Sequence, residues 1–231
     1  MIRKNIEAIR QTIKSCCEKF GRDEKIKLLA VTKNQNLVDI KKALFHGITD
    51  IGENRVQEAE AKIPELAGLF SEFHFIGTLQ SNKIKKLLSM KPCLIHSVEG
   101  LKKAQAISKT QRSLDKNRRQ NILLQVNVSN EASKSGVELS TVEKTSIEIA
   151  ELTNINLVGL MTIGSNTSDK TRIENDFEQM HDIFCKIKSK NIPNVDFRYL
   201  SMGMSGDYEL ALEHGANLLR IGTGIFGSRV K

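Results

Sequence analysis

Apolar and amphipathic segments alternate along nearly the whole of this chain, and that alternation limits the folds open to it. The apolar runs are KLLAVTK (27–33), DIGEN (50–54), FHFIG (73–77), CLIHSV (93–98), ILLQVNVS (122–129), LVGLMTIG (157–164), FRYLSMG (197–203) and NLLRIGTGIFG (217–227). Each has the length and aliphatic content of a strand buried on both faces. Between them lie LVDIKKALFHG, VQEAEAKIPEL, NKIKKLLS, GLKKAQAIS, LSTVEKTSIEIAEL, RIENDFEQMHDIFCKIKSK and GDYELALEHG, in which apolar residues recur at helical spacing. Strands that alternate with helices pair in parallel, because each connection must cross back and cover a sheet face.

Eight parallel strands can close on themselves, and 231 residues suit a barrel built as one unit. The spacing therefore predicts an α/β fold, a single (β/α)8 TIM-type barrel, with an open doubly wound sheet as the alternative. Only three prolines occur and no Pro/Gly/Ser-rich linker divides the chain, which favours one domain over residues 1–231. The barrel occupies 25–231. Ahead of it, Ile2, Ile6, Ile9, Ile13 and Phe20 share one face of an extra N-terminal helix over 1–20, with Gly21 as its stop.

Charges interrupt the first twenty residues too often for a signal peptide, and no later stretch nears the roughly 18 apolar residues of a membrane span. A cytoplasmic location is the expectation. Cys16, Cys17, Cys93 and Cys185 lack C-x-x-C spacing and read as reduced packing residues. The five histidines show neither H-x-H nor H-E-x-x-H spacing, so no metal is expected. The formal net charge of +8 is dispersed, and aromatics make up 5% of the chain. A nucleic-acid-binding module would combine clustered Lys/Arg with stacking aromatics, so a solvated surface is the preferred reading.

In such a barrel, functional residues gather where strands end and loops lead into helices. Lys33 follows the first strand and Asn54 the second. SMGMSGD (201–207) follows the seventh, and RIGTGIFGS (220–228) carries Arg220 and three glycines through the eighth. Small residues let backbone N–H groups approach an anion, and barrels frequently hold phosphate between these last two loops. A lysine and a phosphate site on one rim suggest an aldehyde-bearing phosphate held as a Schiff base, a description that pyridoxal 5′-phosphate fits. An arginine facing that cofactor's ring nitrogen would keep it unprotonated and weaken it as an electron sink. The alternative for Arg220 is a structural ion pair.

LLAVTK, GENRVQEA, FHFIGTLQSNK, IHSVEG, NVSNEASKSGV, GLMTIG, LSMGMSGDYELAL and RIGTGIFGSR together resemble the pyridoxal phosphate homeostasis proteins, relatives of the barrel domain of bacterial alanine racemase. The resemblance runs from about residue 25 to the end. It implies a Schiff base on Lys33, phosphate held by Ser205 and the backbone of Gly222 and Thr223, and Arg220 at the ring nitrogen. It also implies that Asn54 lies near the ring and that Ser201 supports the end of the seventh strand. His74 and Lys134 belong to the pattern without an assigned role; a satisfied barrel histidine is the preferred reading of His74.

A racemase needs acid/base groups on both faces of its substrate. In alanine racemase a second, β-rich domain of the partner subunit supplies one of them. No such domain is expected after the eighth strand, and Leu37 stands where the racemase pattern has a phosphate-binding tyrosine. The expectation is therefore a monomer that stores pyridoxal phosphate or hands it to apo-enzymes, with little amino-acid turnover. A weak racemase or another Schiff-base enzyme is the alternative.

Overall fold

Backbone pairing converts the eight apolar runs into eight strands in the computed structural model, which describes residues 1–129, 131 and 134–227. They are β1 (Lys27–Val31), β2 (Asp50–Glu53), β3 (Glu72–Phe75), β4 (Leu94–Val98), β5 (Gln120–Val126), β6 (Ile155–Thr162), β7 (Val195–Ser201) and β8 (Leu218–Ile221). Each pairs in parallel with the next, and β8 pairs with β1 to close the barrel. The helices are α1 (Ile2–Lys19), α2 (Leu37–Phe45), α3 (Val56–Lys62), α4 (Ile84–Ser89), α5 (Leu101–Leu114), α6 (Val142–Ala150), α7 (Lys170–Ser189), α8 (Tyr208–Glu213) and α9 (Thr223–Phe226). Among the described residues no helix is long and apolar enough to cross a membrane.

The alternation of side chains along a strand sorts the apolar residues into two layers. Leu29, Leu94, Leu123 and Leu218 pack inside the barrel, while their neighbours Ala30, Ile95, Leu124 and Leu219 pack outward in the larger core that includes helix residues. Each such buried leucine stabilises the fold by roughly 1.5–3 kcal/mol. Gly159 (φ +148°) marks a register shift between β6 and β7, where a Cβ would lie 1.9 Å from the Tyr199 carbonyl oxygen.

Several boundaries differ from those the apolar runs suggest. The strands β5, β6 and β7 begin two residues early, because polar residues such as Gln120 and Asn156 serve the ladder through their backbone. The eighth run does not continue as a strand: it stops at Ile221, turns at Gly222 and forms the one-turn helix α9. Helix α1 buries Ile6 and Ile9 and lies against α2, α8 and α9. Asn5 Nδ2 donates to the Ile225 carbonyl at 2.9 Å, which ties α1 to α9.

Candidate functional site

The turn that carries Lys33 is built by its neighbours. Thr32 is fully buried, with its hydroxyl 2.7 Å from Glu53 Oε1. Lys62, at the end of α3, donates to the Thr32 carbonyl (2.8 Å), to Glu53 (3.0 Å) and to Glu58 (2.9 Å). Glu58 also accepts from the Asn34 N–H at 2.8 Å, holding Asn34 in the left-handed region (φ +58°). Half-buried Lys33 sits inside this bracket. Burial pushes the Glu53 carboxyl above its ordinary range, against the pull of Thr32 and Lys62. Glu58 is held below its ordinary range: its burial acts upward, but the Asn34 N–H and Lys62 outweigh it.

On the same rim, the N–H groups of Gly222 (3.3 Å) and Gly224 (2.9 Å) converge on Ser205 Oγ. Gly222 lies against Val31, two residues before Lys33: a Cβ there would come 3.4 Å from the Val31 Cβ. A Cβ on Gly224 would fall 2.9 Å from Ile221 Cγ2, so a larger residue would close this small cradle. Thr223 is exposed at the start of α9. Asn54 is half-buried just past β2, and its carbonyl oxygen occupies the space that a Gly77 Cβ would need.

Arg220 points into the barrel and is 5% exposed. Its Nη1 donates to Ser201 Oγ at 2.6 Å and its Nη2 to the Thr162 carbonyl at 2.7 Å. Burial lowers its pKa to about 10, with Asp207 pulling the other way, so it remains cationic at neutral pH. Asp207 in turn is pushed up by burial while accepting from the Met204 N–H. Ser201 is fully buried and bonds to Arg220 and His96, so it acts on the rim through the arginine. Lys134 donates to the Gly164 carbonyl (2.9 Å) and pairs with Glu131 (3.1 Å) beside a cavity of about 210 Å³ that also touches Thr78 and Gln125. The remainder of its tract, Asn130, Ala132 and Ser133, lies outside the described residues, as does Ser228.

A cavity of about 670 Å³ opens at the opposite end of the barrel, lined by Arg10, Lys25, Lys27, Asp50, Glu72 and Tyr199 among others. Its size does not make it the better site, because its central charges are engaged with one another: Lys27 pairs with Asp50 (3.0 Å) and Glu72 (2.7 Å). Donor atoms of Glu72, His74 and Cys93 lie within 4.8 Å of one another, yet the positive charge there is the Lys27 ammonium. Burial, and then Glu72, raise the Cys93 thiol to about 11.

The structure thus brings Lys33, Ser205, Gly222 and Thr223 to one rim, with Arg220 reaching it from the interior and Ser201 beneath the arginine. Sequence reasoning missed Gly224, Asp207 and the Glu53–Glu58–Lys62 bracket. One signal was available for the last, since Glu58 stands four residues before Lys62 on a helix.

The model of the alanine racemase N-terminal domain family matches residues 2–230. A pyridoxal phosphate homeostasis protein of Helicobacter pylori J99 is 40% identical over 225 residues, which span 97% of each chain. A crystal structure from Bifidobacterium adolescentis superposes with a TM-score of 0.90 at 36% identity, covering 97% of this chain and 94% of that one. PipY of Synechococcus elongatus PCC7942, solved with PLP bound, gives a TM-score of 0.84 at 28% identity, covering 98% of this chain and 100% of that one. With a barrel of this topology and relatives matched over almost their whole length, this chain belongs to the pyridoxal phosphate homeostasis proteins, within the alanine racemase N-terminal domain family.

Proposed function

We propose that this protein binds pyridoxal 5′-phosphate at the Lys33 rim and serves vitamin B6 homeostasis as a cytoplasmic, single-domain, monomeric store or carrier for apo-enzymes. The observation that carries this reading is the convergence of two backbone N–H groups on Ser205 Oγ, packed against the end of β1. Those N–H groups could meet an oxyanion on the rim that carries Lys33, and a Synechococcus relative has been solved with PLP bound. The cofactor supplies an aldehyde that condenses with a primary amine, with loss of water.

Each residue's part follows from its chemistry. Lys33 offers the amine, and the Glu53–Glu58–Lys62 bracket fixes the turn that presents it. Ser205 with the backbone of Gly222, Thr223 and Gly224 would hold the phosphate. Arg220, cationic and nearly buried, would face the ring nitrogen and keep it unprotonated, which favours holding over turnover. Asn54 would border the ring, and Ser201 fixes the arginine. Of the two tyrosines, Tyr199 lines the opposite cavity and Tyr208 packs against the outer core. Neither is placed to serve as a racemase's second acid, so we assign the protein little amino-acid turnover.

The test is the visible absorption spectrum after adding pyridoxal phosphate, before and after borohydride. The wild type should give a yellow band that borohydride converts to a stable adduct on Lys33, and Lys33→Ala should give neither. A band unchanged in that variant would overturn the assignment. Steady racemisation of alanine or serine by the pure protein, lost in Lys33→Ala, would favour the enzyme reading.

A further inference from the structure

Inside the barrel a single file of polar side chains runs from one end to the other. Glu72 Oε2 lies 2.8 Å from His74 Nε2, and His74 Nδ1 lies 2.9 Å from His96 Nε2. His96 Nδ1 lies 3.2 Å from Ser201 Oγ, which accepts from Arg220 Nη1. His74, His96 and Ser201 are fully buried, while the Glu72 side chain is 30% exposed at the far end. The file joins β3, β4, β7 and β8, so it crosses the interior and does not follow one sheet edge.

The end groups fix its direction. A carboxylate can only accept, so His74 donates from Nε2; in the Nε2–H tautomer its bare Nδ1 accepts from His96 Nε2–H. His96 Nδ1 is then bare and accepts the Ser201 hydroxyl, whose oxygen is left to receive Arg220. In that arrangement every hydrogen points toward Glu72 and both imidazoles carry their hydrogen on Nε2. Burial, then the nearby His74 and the cations Arg220 and Lys27, keep His96 neutral. Among the described residues, the titratable groups closest to Glu72 are Lys27 from β1, Asp50 from β2 and Cys93 beside β4, and Arg10, Lys25 and Tyr199 line the same cavity.

We infer that His74 and His96 are positioning residues for Arg220: they turn the Ser201 hydroxyl away from the guanidinium, and Glu72 sets the direction of the chain from the opposite end of the barrel. One proton added at His74 would reverse it. His74 Nδ1–H would face His96 Nε2, the His96 hydrogen would move to Nδ1, and Ser201 Oγ would meet two N–H donors with its own hydrogen turned aside. Arg220 would then share its acceptor. The inference rests on the proposed cofactor site only for what Arg220 faces.

Nitrogen-15 NMR of the cofactor-free protein at neutral pH tests the direction without any ligand. Both histidines should be neutral with Nε2 protonated; an Nδ1–H tautomer or an imidazolium at either would overturn the inference. His74→Leu should shift the Arg220 guanidinium resonances and raise the pyridoxal phosphate Kd about tenfold, leaving the Kd for inorganic phosphate within twofold. Asp50→Asn, which touches Lys27 but not His74, should change none of these by more than twofold. Arg220 resonances unchanged in His74→Leu would sink the idea. Should that variant fail to fold, Glu72→Gln serves: an amide can donate as well as accept, so the two histidines should lose their uniform Nε2–H pattern, and an unchanged nitrogen-15 pattern counts against the chain. If pyridoxal phosphate fails to bind the wild type, the site assignment falls while the tautomer result stands.

Discussion

The two ends of the barrel solve the problem of charge in opposite ways. At the end where β1 begins, Lys27 is held between the carboxylates of Asp50 and Glu72 beside a large cavity. At the end where β8 finishes, the donors to Ser205 are backbone N–H groups, which need no counter-ion, and the charged bracket of Glu53, Glu58 and Lys62 lies behind the Lys33 turn. The contrast shows why cavity volume is a poor guide here. Lys27 must be drawn from two carboxylates before it can bind, whereas the Gly222 and Gly224 N–H groups have only a neutral hydroxyl to give up.

The sharpest way to test that contrast is to remove the cation from each end. Lys62→Met should cost about 3–5 kcal/mol in urea unfolding, because it strands a nearly fully buried Glu53. Lys27→Met should cost less, about 1–3 kcal/mol: it leaves buried Asp50 without its cation, but Glu72 keeps its bond to His74 and its contact with water. Equal costs would break the distinction between a buried bracket and a half-open cluster.

Next in size, Gly77→Ala should weaken pyridoxal phosphate binding about tenfold by displacing the Asn54 backbone, as read by titration of the absorption band. The carboxylates at the two ends should also respond to pH with opposite sign. The His74 hydrogen bond, with Lys27, depresses Glu72 to about 2, so its stabilisation is complete above the ordinary glutamate range and fades as pH falls toward 2. Burial raises Glu53, so its ionisation opposes folding as pH rises above that range. Relative to wild type, the Tm of Glu72→Gln should recover on acidification from pH 5, and that of Glu53→Gln should gain as pH rises. Parallel slopes would refute the assignment. The smallest effect belongs to the surface: Glu7→Gln breaks an exposed pair with Arg3 and should leave Tm unchanged within error.

Much of this was legible in the chain. The alternation of runs gave the barrel because each strand's burial on both faces is written in its own residues. Lys33, Asn54 and the two glycine-bearing loops could be placed because strand ends in a closed parallel barrel share a rim. The boundary of the eighth run could not be read, since RIGTGIFG stays apolar after its backbone has left the sheet. FHF, a histidine between two phenylalanines, hinted that one face of β3 is polar. Its partners, His96 and ultimately Ser201 and Arg220, come from three other strands. Which of them His74 meets depends on barrel closure and stagger, and no local pattern carries that.

The bond from Asn5 to the Ile225 carbonyl joins residues 220 apart, and the turn it steadies is the one that presents Gly222 and Gly224. A ribosome making this chain releases α1 long before α9 exists. Until that last segment emerges, β1 has no β8 beside it and Ser205 has no N–H groups to receive. If the proposed site is the one that takes the cofactor, loading would await the synthesis of Gly222 and Gly224, and a chain cut short before them would not compete for the vitamin.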